Sequence, residues 1–496
     1  MKVSWSGIAR ALLVSAAGAG LVFGATRATG AVTVAPAQAQ HSSVAAATSP
    51  VRGSQLVCPG PELKGVPGLK DLAVPVRVTA AAAPVAALGG LRSASTAGAL
   101  SLTGLPGGDL APALTSRGKV GWAGVAKASA VLVSGTQSMA PGIAATQAWL
   151  VPSGDQRSLG SAPCQQAGAE FWILAGGGAP GRQERLVLTN PGGNPVSVDV
   201  TLHGGEGPVA SSNGKGVVVP AHGRAAVLLD SISGDLGSPA VHVVAQGGLV
   251  SAVVNDLWLD GTRAAGSDDA TPSAAPSRVQ VVPAVPVEGK AVLRVAVPGS
   301  GEAVVQARVL TAQGPRALPS GAVVRVDGGS VADIDLSRLP AATVGIQVRA
   351  DVPVVAAALT YRVKGSAPGD LAWSASTEGL AGVAGLPLDS PGAGSTPLSR
   401  NLWLTATGDS AAVQVVTVDA RGAVRSQTAQ VAPDTTSAVP VAGATSVWVR
   451  RLSGAGEVHA GVVSWVNDAQ GTLFTSTPLR DSALRTTTPG LRPATP

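Results

Sequence analysis

Short runs of apolar residues, separated by turn-forming residues, follow one another along most of the chain. Residues 185–190 (RLVLTN) and 196–203 (VSVDVTLH) are two such runs, and Pro, Gly and Asn stand between them. Runs of this length with these boundaries are typical of the strands of a β-sandwich. The pattern therefore predicts an all-β fold.

One arrangement of runs and turns occurs three times. The turn at Pro191-Gly192 has counterparts at Pro298-Gly299 and Gly408-Asp409, at a nearly constant spacing. A constant period of this size predicts tandem copies of one immunoglobulin-like β-sandwich. We expect these modules at residues 166–265, 278–366 and 371–480.

Polar stretches rich in Pro, Ser and Gly lie around the predicted boundaries, at residues 266–277 and 385–399. Segments of this composition have little to bury and are typical of linkers. Asp268 and Asp269 fall in the first of them, which predicts that both carboxylates are solvated. The alternative is a calcium site, but two carboxylates are too few for the roughly six to eight oxygen ligands that Ca²⁺ takes.

Residues 54–165 show the pattern least clearly. Strand-like runs occur at 72–79 and 144–151, but an alanine-rich stretch and long segments without alternation lie among them. We expect an N-terminal β region that is less regular than the modules. Cys58 and Cys164 are the two cysteines of the chain, and in an exported protein they are expected to form a disulfide. The alternative is two unpaired thiols, and the spacing excludes a CxxC metal or redox site.

Alternation within a strand indicates which side chains face the core. Aligned on the turns, Leu186, Leu293 and Trp403 are equivalent, which predicts that all three are core residues. In the run 446–450 (SVWVR), Trp448 points away from its valine neighbours, at a position where the other modules have polar residues. Two interpretations are open for Trp448: a solvent-facing contact residue, or a ring packed beneath a loop or a neighbouring module.

The first 31 residues have the pattern of an export signal. Lys2 and Arg10 are positive, and residues 11–25 form an uncharged apolar run that is followed by small residues suitable for cleavage. Residues 8–25 are also nearly long enough to span a membrane, so a signal anchor is the alternative. In either case the remainder is exported to an extracellular or cell-surface location. Residues 32–53 are predicted to be a linker, and residues 481–496 a disordered tail.

Composition narrows the possible functions. Aromatic residues make up 3% of the chain and charged residues 13%, so the cores must consist mainly of Val, Ala and Leu. The net charge of +6 is dilute, without Lys/Arg runs or alternation of Arg with aromatic residues. This distribution argues against a nucleic-acid partner.

Patterns of catalytic or metal-binding residues are sparse. The five histidines form no HxH or HExxH spacing, and His203 and His222 lie beside turns, which predicts surface imidazoles. Residues 176–181 (GGGAPG) match a dinucleotide-binding loop literally. A strand rather than a helix is predicted to follow, so we interpret the match as a hairpin loop. No cofactor and no metal site is expected.

Several segments resemble a known family. They are LVCPGPEL at 56–63, RLVLTNPG at 185–192, VVVP and RAAVLLD between 217 and 230, and AVHVVAQGGLVSA at 240–252. Together they are similar to a family of exported actinobacterial proteins known as domain of unknown function five-seven-one-nine, across residues 54–470. The resemblance implies export and an actinobacterial cell envelope, and it carries over no catalytic or binding residue.

The sequence favours a non-enzymatic, exported protein of the cell envelope that acts as a structural or interaction scaffold. Its expected partner is an envelope protein or a cell-wall glycan, and it would contact the membrane only through an uncleaved N-terminal segment. Two alternatives stay open: an array of carbohydrate-binding modules, and an enzyme with its site in the N-terminal region.

Overall fold

A computed structural model describes residues 16, 47–62, 74–91, 95–234, 236–319, 321, 323–363, 365–388, 391 and 398–488. The predicted signal segment apart from residue 16, the linker residues before 47 and the tail from 489 onward lie outside the described residues. Within those ranges, a search for a helix long and apolar enough to cross a membrane finds none.

Antiparallel strands build four modules, which we name A to D. Strand β1 (Ala47–Pro50) precedes module A, whose strands are β2 (Gly53–Cys58), β3 (Val76–Ala82), β4 (Leu100–Leu105), β5 (Val120–Val125), β6 (Ala130–Thr136), β7 (Ile143–Val151) and β8 (Ser158–Pro163). Module B has β9 (Glu170–Leu174), β10 (Arg182–Asn190), β11 (Val196–Gly204), β12 (Gly207–Pro208), β13 (Val217–Val219), β14 (Gly223–Leu228), β15 (Ala240–Gln246), β16 (Ser251–Asp260) and β17 (Arg263–Ala270).

The second half of the described chain continues in the same way. Module C has β18 (Ser277–Val287), β19 (Lys290–Ala296), β20 (Ala303–Thr311), β21 (Gly314–Ala317), β22 (Val323–Val326), β23 (Val331–Asp335), β24 (Ala342–Arg362) and β25 (Asp370–Ala375). Module D has β26 (Val383–Pro387), β27 (Ser399–Thr407), β28 (Ala411–Asp419), β29 (Val424–Val431), β30 (Thr435–Pro440), β31 (Ala444–Gly454), β32 (Glu457–Asp468) and β33 (Gly471–Pro478), followed by β34 (Asp481–Ser482) and β35 (Arg485–Thr488). Between residues 47 and 488, the described helical pieces are α1 (Asp230–Ser233) and two 3₁₀ turns, Val85–Ala87 and Gln137–Met139.

Each module is a sandwich of two sheets, and one of the two has the same strand order in all four modules. We call it the axial sheet; its order is β5-β3-β7-β8 in A, β14-β10-β16-β17 in B, β23-β19-β24-β25 in C and β30-β27-β32-β33 in D. The outer sheets are centred on β2-β6-β4, β9-β15-β11, β18-β24-β20 and β26-β31-β28. The long β24 serves both sheets of module C, because its first half pairs with β18 and β20 and its second half with β19 and β25. The prediction of an all-β fold is confirmed.

Module A is a fourth copy of the repeated sandwich, whereas the sequence indicated only an irregular β region there. Its copy is hard to see because residues 83–99 connect β3 to β4, where modules B, C and D have short turns. Strand β3 also carries four small or alanine residues in sequence (TAAA), which weakens the apolar pattern. The strand order, not the amino-acid pattern, identifies the repeat.

The observed module boundaries differ from the predicted ones at the last strand of the axial sheets. Residues 266–277, predicted to be a linker, begin inside β17, which pairs along β16 with Asp268 opposite Asp256. Residues 371–374, predicted to open the third module, belong to β25 and pair with β24 in module C. Module D begins instead at β26. The polar composition of β17 (RAAGSDDA) is that of a linker, so composition alone misplaced the boundary.

Alternating side chains of the two sheets meet in a core within each module. Leu186 of β10 and Leu293 of β19 have no exposed surface, as predicted. Trp403 is only half-buried, and its neighbours Leu402 and Leu404 occupy the core of module D instead. The predicted phase was therefore one residue out in this strand.

The four modules close a ring. β8 packs against β17, β17 against β25, β25 against β33, and β33 against β8. We call these four edge strands the axial strands. An arginine bonds across each of the four junctions: Arg224 to Glu62 between B and A, Arg294 to the Gly176 carbonyl oxygen between C and B, Arg308 to Asp434 between C and D, and Arg157 to Asp468 between A and D.

A disulfide joins Cys58 at the end of β2 to Cys164 just after β8, with a Cα–Cα distance of 4.4 Å. The bond therefore connects the outer sheet of module A to the segment that follows its axial strand. Gln165, the next residue, donates from Nε2 to the Ala252 carbonyl oxygen of module B at 2.9 Å. The disulfide thus fixes the chain at the point where it passes from A to B.

The junction between D and A buries Trp448, which has no exposed surface. The ring lies in an apolar cluster made by both modules, and its Nε1–H donates to Ser446 Oγ at 3.2 Å. Module A contributes small alanines and two leucines to this cluster: Ala81, Ala83, Ala87, Leu88, Leu91 and Ala144. The interpretation of Trp448 as a solvent-facing contact is therefore wrong. Alternation does place Trp448 outside the core of module D, but the closed ring covers that face with module A.

Candidate functional site

Two buried carboxylates tie the axial strands together. Asp370 Oδ2 of module C accepts hydrogen bonds from the backbone N–H of Leu159 in A at 3.3 Å and of Phe474 in D at 2.9 Å. Asp268 Oδ2 of module B accepts from the backbone N–H of Trp373 in C at 2.9 Å. An edge strand leaves a row of N–H groups without a ladder partner, and buried N–H groups need an acceptor. The carboxylates supply acceptors where no further strand fits.

The solvated state predicted for Asp268 and Asp269 is wrong, since Asp268 is 0% and Asp269 5% exposed. Burial raises the pKa of Asp268 and of Asp370 well above the ordinary value of an aspartate, and the N–H donors only partly offset this. Each carboxyl therefore keeps its proton to a higher pH in the folded protein than in the unfolded chain.

A recess opens beyond the ends of the axial strands. It holds about 600 Å³ and is lined by residues 170–172 and by the segments that follow β17, β25 and β33, at residues 272–276, 377–379 and 479–481. An adjoining cavity of about 210 Å³ shares Phe171, Arg480 and Asp481 with it and reaches residues 163–166, which follow β8. All four modules thus contribute to one concave surface, in the size range of small-molecule sites.

Arg480 stands where the two cavities meet. Its Nη2 donates to the Pro272 carbonyl oxygen across the axis. The side chain lies deep in the molecule, yet it keeps partial exposure because it borders the cavities. Burial lowers the pKa of the guanidinium to about 10, so it remains charged at neutral pH. Among the described residues, no carboxylate forms an ion pair with it.

Three carboxylates also line the recess, and they differ in how they are used. Glu170 pairs with His242 Nε2 at 2.8 Å. Asp481 accepts the backbone N–H of Ala381 at 2.7 Å and of Gly382. Glu378 is exposed and has no hydrogen-bond partner among the described side chains. The recess therefore presents one deep cation and one free anion to a ligand.

A comparison with protein-family models matches residues 120–442 to DUF5719, described as a family of unknown function. The match covers about two-thirds of the chain. The chain belongs to the DUF5719 family. The match runs from β5 of module A through all of B and C to just beyond β30 of module D, and it confirms the family resemblance drawn from the sequence motifs.

Further comparisons add little to the DUF5719 match. A solved structure titled "Crystal structure of tetra-tandem repeat in extending region of large adhesion protein" aligns over 78% of this chain and 92% of its own, at 13% identity and a TM-score of 0.09. A TM-score this low supports no argument about fold or function. The comparison with curated proteins gives no match.

A second polar cluster in this DUF5719 chain lies between modules A and B. Glu62 pairs with Arg224, and Asp269 accepts from Gln147 Nε2 at 2.5 Å and from Asn255 Nδ2 at 3.0 Å. Burial raises the pKa of Glu62, and raises that of Asp269 to about 6. Every polar group named here has a partner, so the cluster is well suited to holding the junction together.

The glycine-rich run 176–181 is also structural. It connects β9 to β10, so no helix follows it, and the Gly177 N–H donates to Glu184 Oε1 at 2.8 Å. Burial raises the pKa of Glu184 to about 7. Beside it, Arg182 pairs with Asp256, which also accepts from the indole Nε1–H of Trp373 at 2.8 Å. The Gly177 amide that a phosphate would need is therefore already bonded to Glu184 within module B.

The histidines follow the sequence prediction only in part. His222 is exposed, as expected, but His203 is 7% exposed because its Nδ1 bonds the Gly329 carbonyl oxygen of module C at 2.7 Å. His459 is buried beside the recess residue Thr377, with 3.1 Å between Nδ1 and Oγ1. Across the described ranges, no group of three or more His, Cys, Asp or Glu is placed to hold a metal ion.

Sequence reasoning missed the recess. Its lining segments follow the last strand of each axial sheet; residues 272–276 fell in a stretch assigned to a linker, and residue 481 in the predicted tail. A segment of this kind follows the last strand of each module, so these segments recur with the period of the repeat. The recurrence becomes visible only when the axial strands are assigned to the correct modules.

Proposed function

We propose that the protein is an exported, non-enzymatic scaffold of the cell envelope that holds its partner at the axial recess. The observation that carries this proposal is that all four modules line one concave surface. The ring fixes those segments through packing of the axial strands and through the arginine contacts at the junctions. A preorganised surface loses little conformational freedom on binding, which favours recognition.

Export is supported by the bond between Cys58 and Cys164. Disulfides persist in oxidising compartments and are rare in the cytosol. The resemblance to exported actinobacterial proteins agrees with this, so we assign the protein to the extracellular side or the cell surface. An envelope protein or a cell-wall glycan is the partner that this location offers.

The test is capture from a solubilised envelope extract, followed by identification of what is bound. Ala275 is an exposed residue of the recess, so Ala275→Trp fills the cavity with little effect on the core. Ala420→Trp, on an exposed turn of module D, is the matched control. We expect the wild type and the control to capture the same partner and Ala275→Trp to lose it. Equal capture by all three would refute the recess as the site, and steady turnover of glycans or peptides would refute a non-enzymatic role.

Carbohydrate binding is a second candidate, favoured by Trp122. Its side chain is 50% exposed, and the Arg77 guanidinium carbon lies 4.1 Å from the ring centre. Exposed indole rings stack well on sugar faces because they are broad and apolar. Binding on a glycan array that Trp122→Ala abolishes would support this function.

An enzyme is a third candidate, because Glu62 of the N-terminal region shares a pocket with Asp269. Paired carboxyls with raised pKa values occur in hydrolase sites. Glycan hydrolysis that is lost in Glu62→Gln would favour this candidate over the scaffold.

A further inference from the structure

We propose that the axial recess binds a zwitterionic ligand, an amino acid or short peptide with a free carboxylate and a free ammonium, between Arg480 and Glu378. The inference rests on the proposed function, since it names the ligand class of the same recess. It depends on how charge is distributed along the cavity wall.

The carboxylate position is set by Arg480. The guanidinium has five N–H donors, and the structure gives it one hydrogen bond, to the Pro272 carbonyl oxygen. Arg480 lines both cavities, so donors that the protein does not use are available to a ligand there. A deeply placed cation with no described carboxylate at ion-pair distance favours an oxyanion, and the planar fork matches a carboxylate.

The ammonium position is set by Glu378. This side chain lines the same cavity, is exposed, and interacts electrostatically with Arg480. Glu170 and Asp481 add two more negative charges to the lining. Three carboxylates would repel a phosphate or any ligand with several negative charges, whereas a ligand with one charge of each sign satisfies both ends.

Apolar groups also line the recess. They include Phe171, Pro272, Ala274 and Leu479, and the polar residues Ser273 and Thr377 lie among them. Apolar surface accepts small aliphatic side chains, and a few charged groups fix the orientation of a ligand. The ligand that fits is therefore a small amino acid or a short peptide of small residues.

The experiment is calorimetric titration of the folded protein with the dipeptide alanyl-alanine. Its N-acetyl derivative lacks the ammonium, its amide lacks the carboxylate, and inorganic phosphate is a plain oxyanion. We expect the free dipeptide to bind and each of the other three probes to bind at least several-fold more weakly. Arg480→Gln should weaken binding of the dipeptide by ~10- to 100-fold, which is the usual contribution of a hydrogen-bonded charge pair.

Glu378→Gln should weaken binding of the dipeptide by up to ~5-fold; the effect is small because the carboxylate is exposed. The same variant should bind phosphate more tightly. This exposed variant keeps the test valid if Arg480→Gln does not fold. Arg316→Gln, on an exposed strand of module C, is the matched control and should bind like the wild type. No dipeptide binding, equal binding of the capped forms, or tighter binding of phosphate would each overturn the proposal.

The two proposals fail in different ways. If Ala275→Trp abolishes envelope capture but the dipeptide does not bind, the recess is the site and the ligand class is wrong. If Ala275→Trp leaves capture intact, the proposed function itself is wrong.

Discussion

The Oδ2 atom of Asp370 lies 2.9 Å from the backbone nitrogen of Phe474, and this contact joins two modules whose strands belong to different sheets. The same oxygen accepts the backbone N–H of Leu159 from a third module. At the ring axis, this one side chain therefore accepts backbone N–H groups of neighbouring strands, as backbone carbonyl groups do inside a sheet. The stability of the ring should depend on it more than on any exposed carboxylate.

Asp370→Ala is expected to lower the free energy of unfolding by ~1–3 kcal/mol for each N–H group left without an acceptor. Urea unfolding followed by circular dichroism measures the change. Asp327→Ala removes an exposed carboxylate and should stay near the wild type. Equal effects of the two variants would show that the axial hydrogen bonds contribute nothing.

Stability should fall as the pH rises from about 4, in part because of Asp268. A carboxyl whose pKa is raised in the folded state holds its proton there and loses it in the unfolded chain. Its contribution is complete below the unfolded pKa and is lost as the pH rises towards the folded one. Asp268→Asn keeps an oxygen acceptor for the Trp373 N–H and cannot ionise. We expect a smaller loss of stability between pH 5 and pH 9 in this variant; an unchanged pH slope would contradict the assignment.

His459 should act in the opposite direction, in a lower pH window. Burial lowers the pKa of His459 from 6.5 to about 4, so its contribution is complete above pH 6.5 and is lost as the pH falls towards 4. At pH 5 the loss amounts to about 2 kcal/mol. His459→Asn, compared with the wild type at pH 7.5 and pH 5, should show a flatter profile. A profile identical to the wild type would mean that the imidazole titrates normally.

Trp448→Ala is expected to cost ~3–5 kcal/mol of stability, because it empties the cluster between modules D and A. Trp122→Ala, which removes the exposed indole, should change stability by less than about 0.5 kcal/mol. The same denaturation measurement serves both variants. If Trp448→Ala were as mild as Trp122→Ala, the closure of the ring would not be what buries this side chain.

Replacing Cys58 and Cys164 together by serine is expected to cost ~4–5 kcal/mol, since the bond spans 106 residues and restricts the unfolded chain. Unfolding of the wild type with and without a reductant is the independent check. A reductant should lower the free energy of unfolding of the wild type to that of the double variant. It should leave the stability of the double variant unchanged.

The strand pattern was readable from the sequence because it is local. Leu186 and Leu293 were assigned to the core from alternation and a turn, and both are fully buried. The assignment failed at Trp403, where Leu402 and Leu404 face the core instead. Local rules therefore give the strands, and they do not fix the facing of every side chain.

The error at Asp268 and the solvent-facing alternative for Trp448 have a common physical origin. Both treat each sandwich as if it stood alone in water, with polar or outward positions solvated. In the ring, the edges of the axial sheets and parts of the outer sheets are buried a second time, by other modules. Burial of this kind depends on contacts between residues far apart in sequence, which no pattern within one module contains. The recess escaped notice for the same reason.

Module D covers an apolar surface of module A, and this surface is exposed while the polypeptide is being synthesised. Synthesis delivers domains from the N-terminus onward, so the alanine-rich surface around Ala81 and Ala144 exists before Trp448 does. A product that stops after module C would keep this surface permanently bare and prone to association. Fragments cut at module boundaries are thus expected to self-associate, whereas in the chain that includes module D this surface is covered.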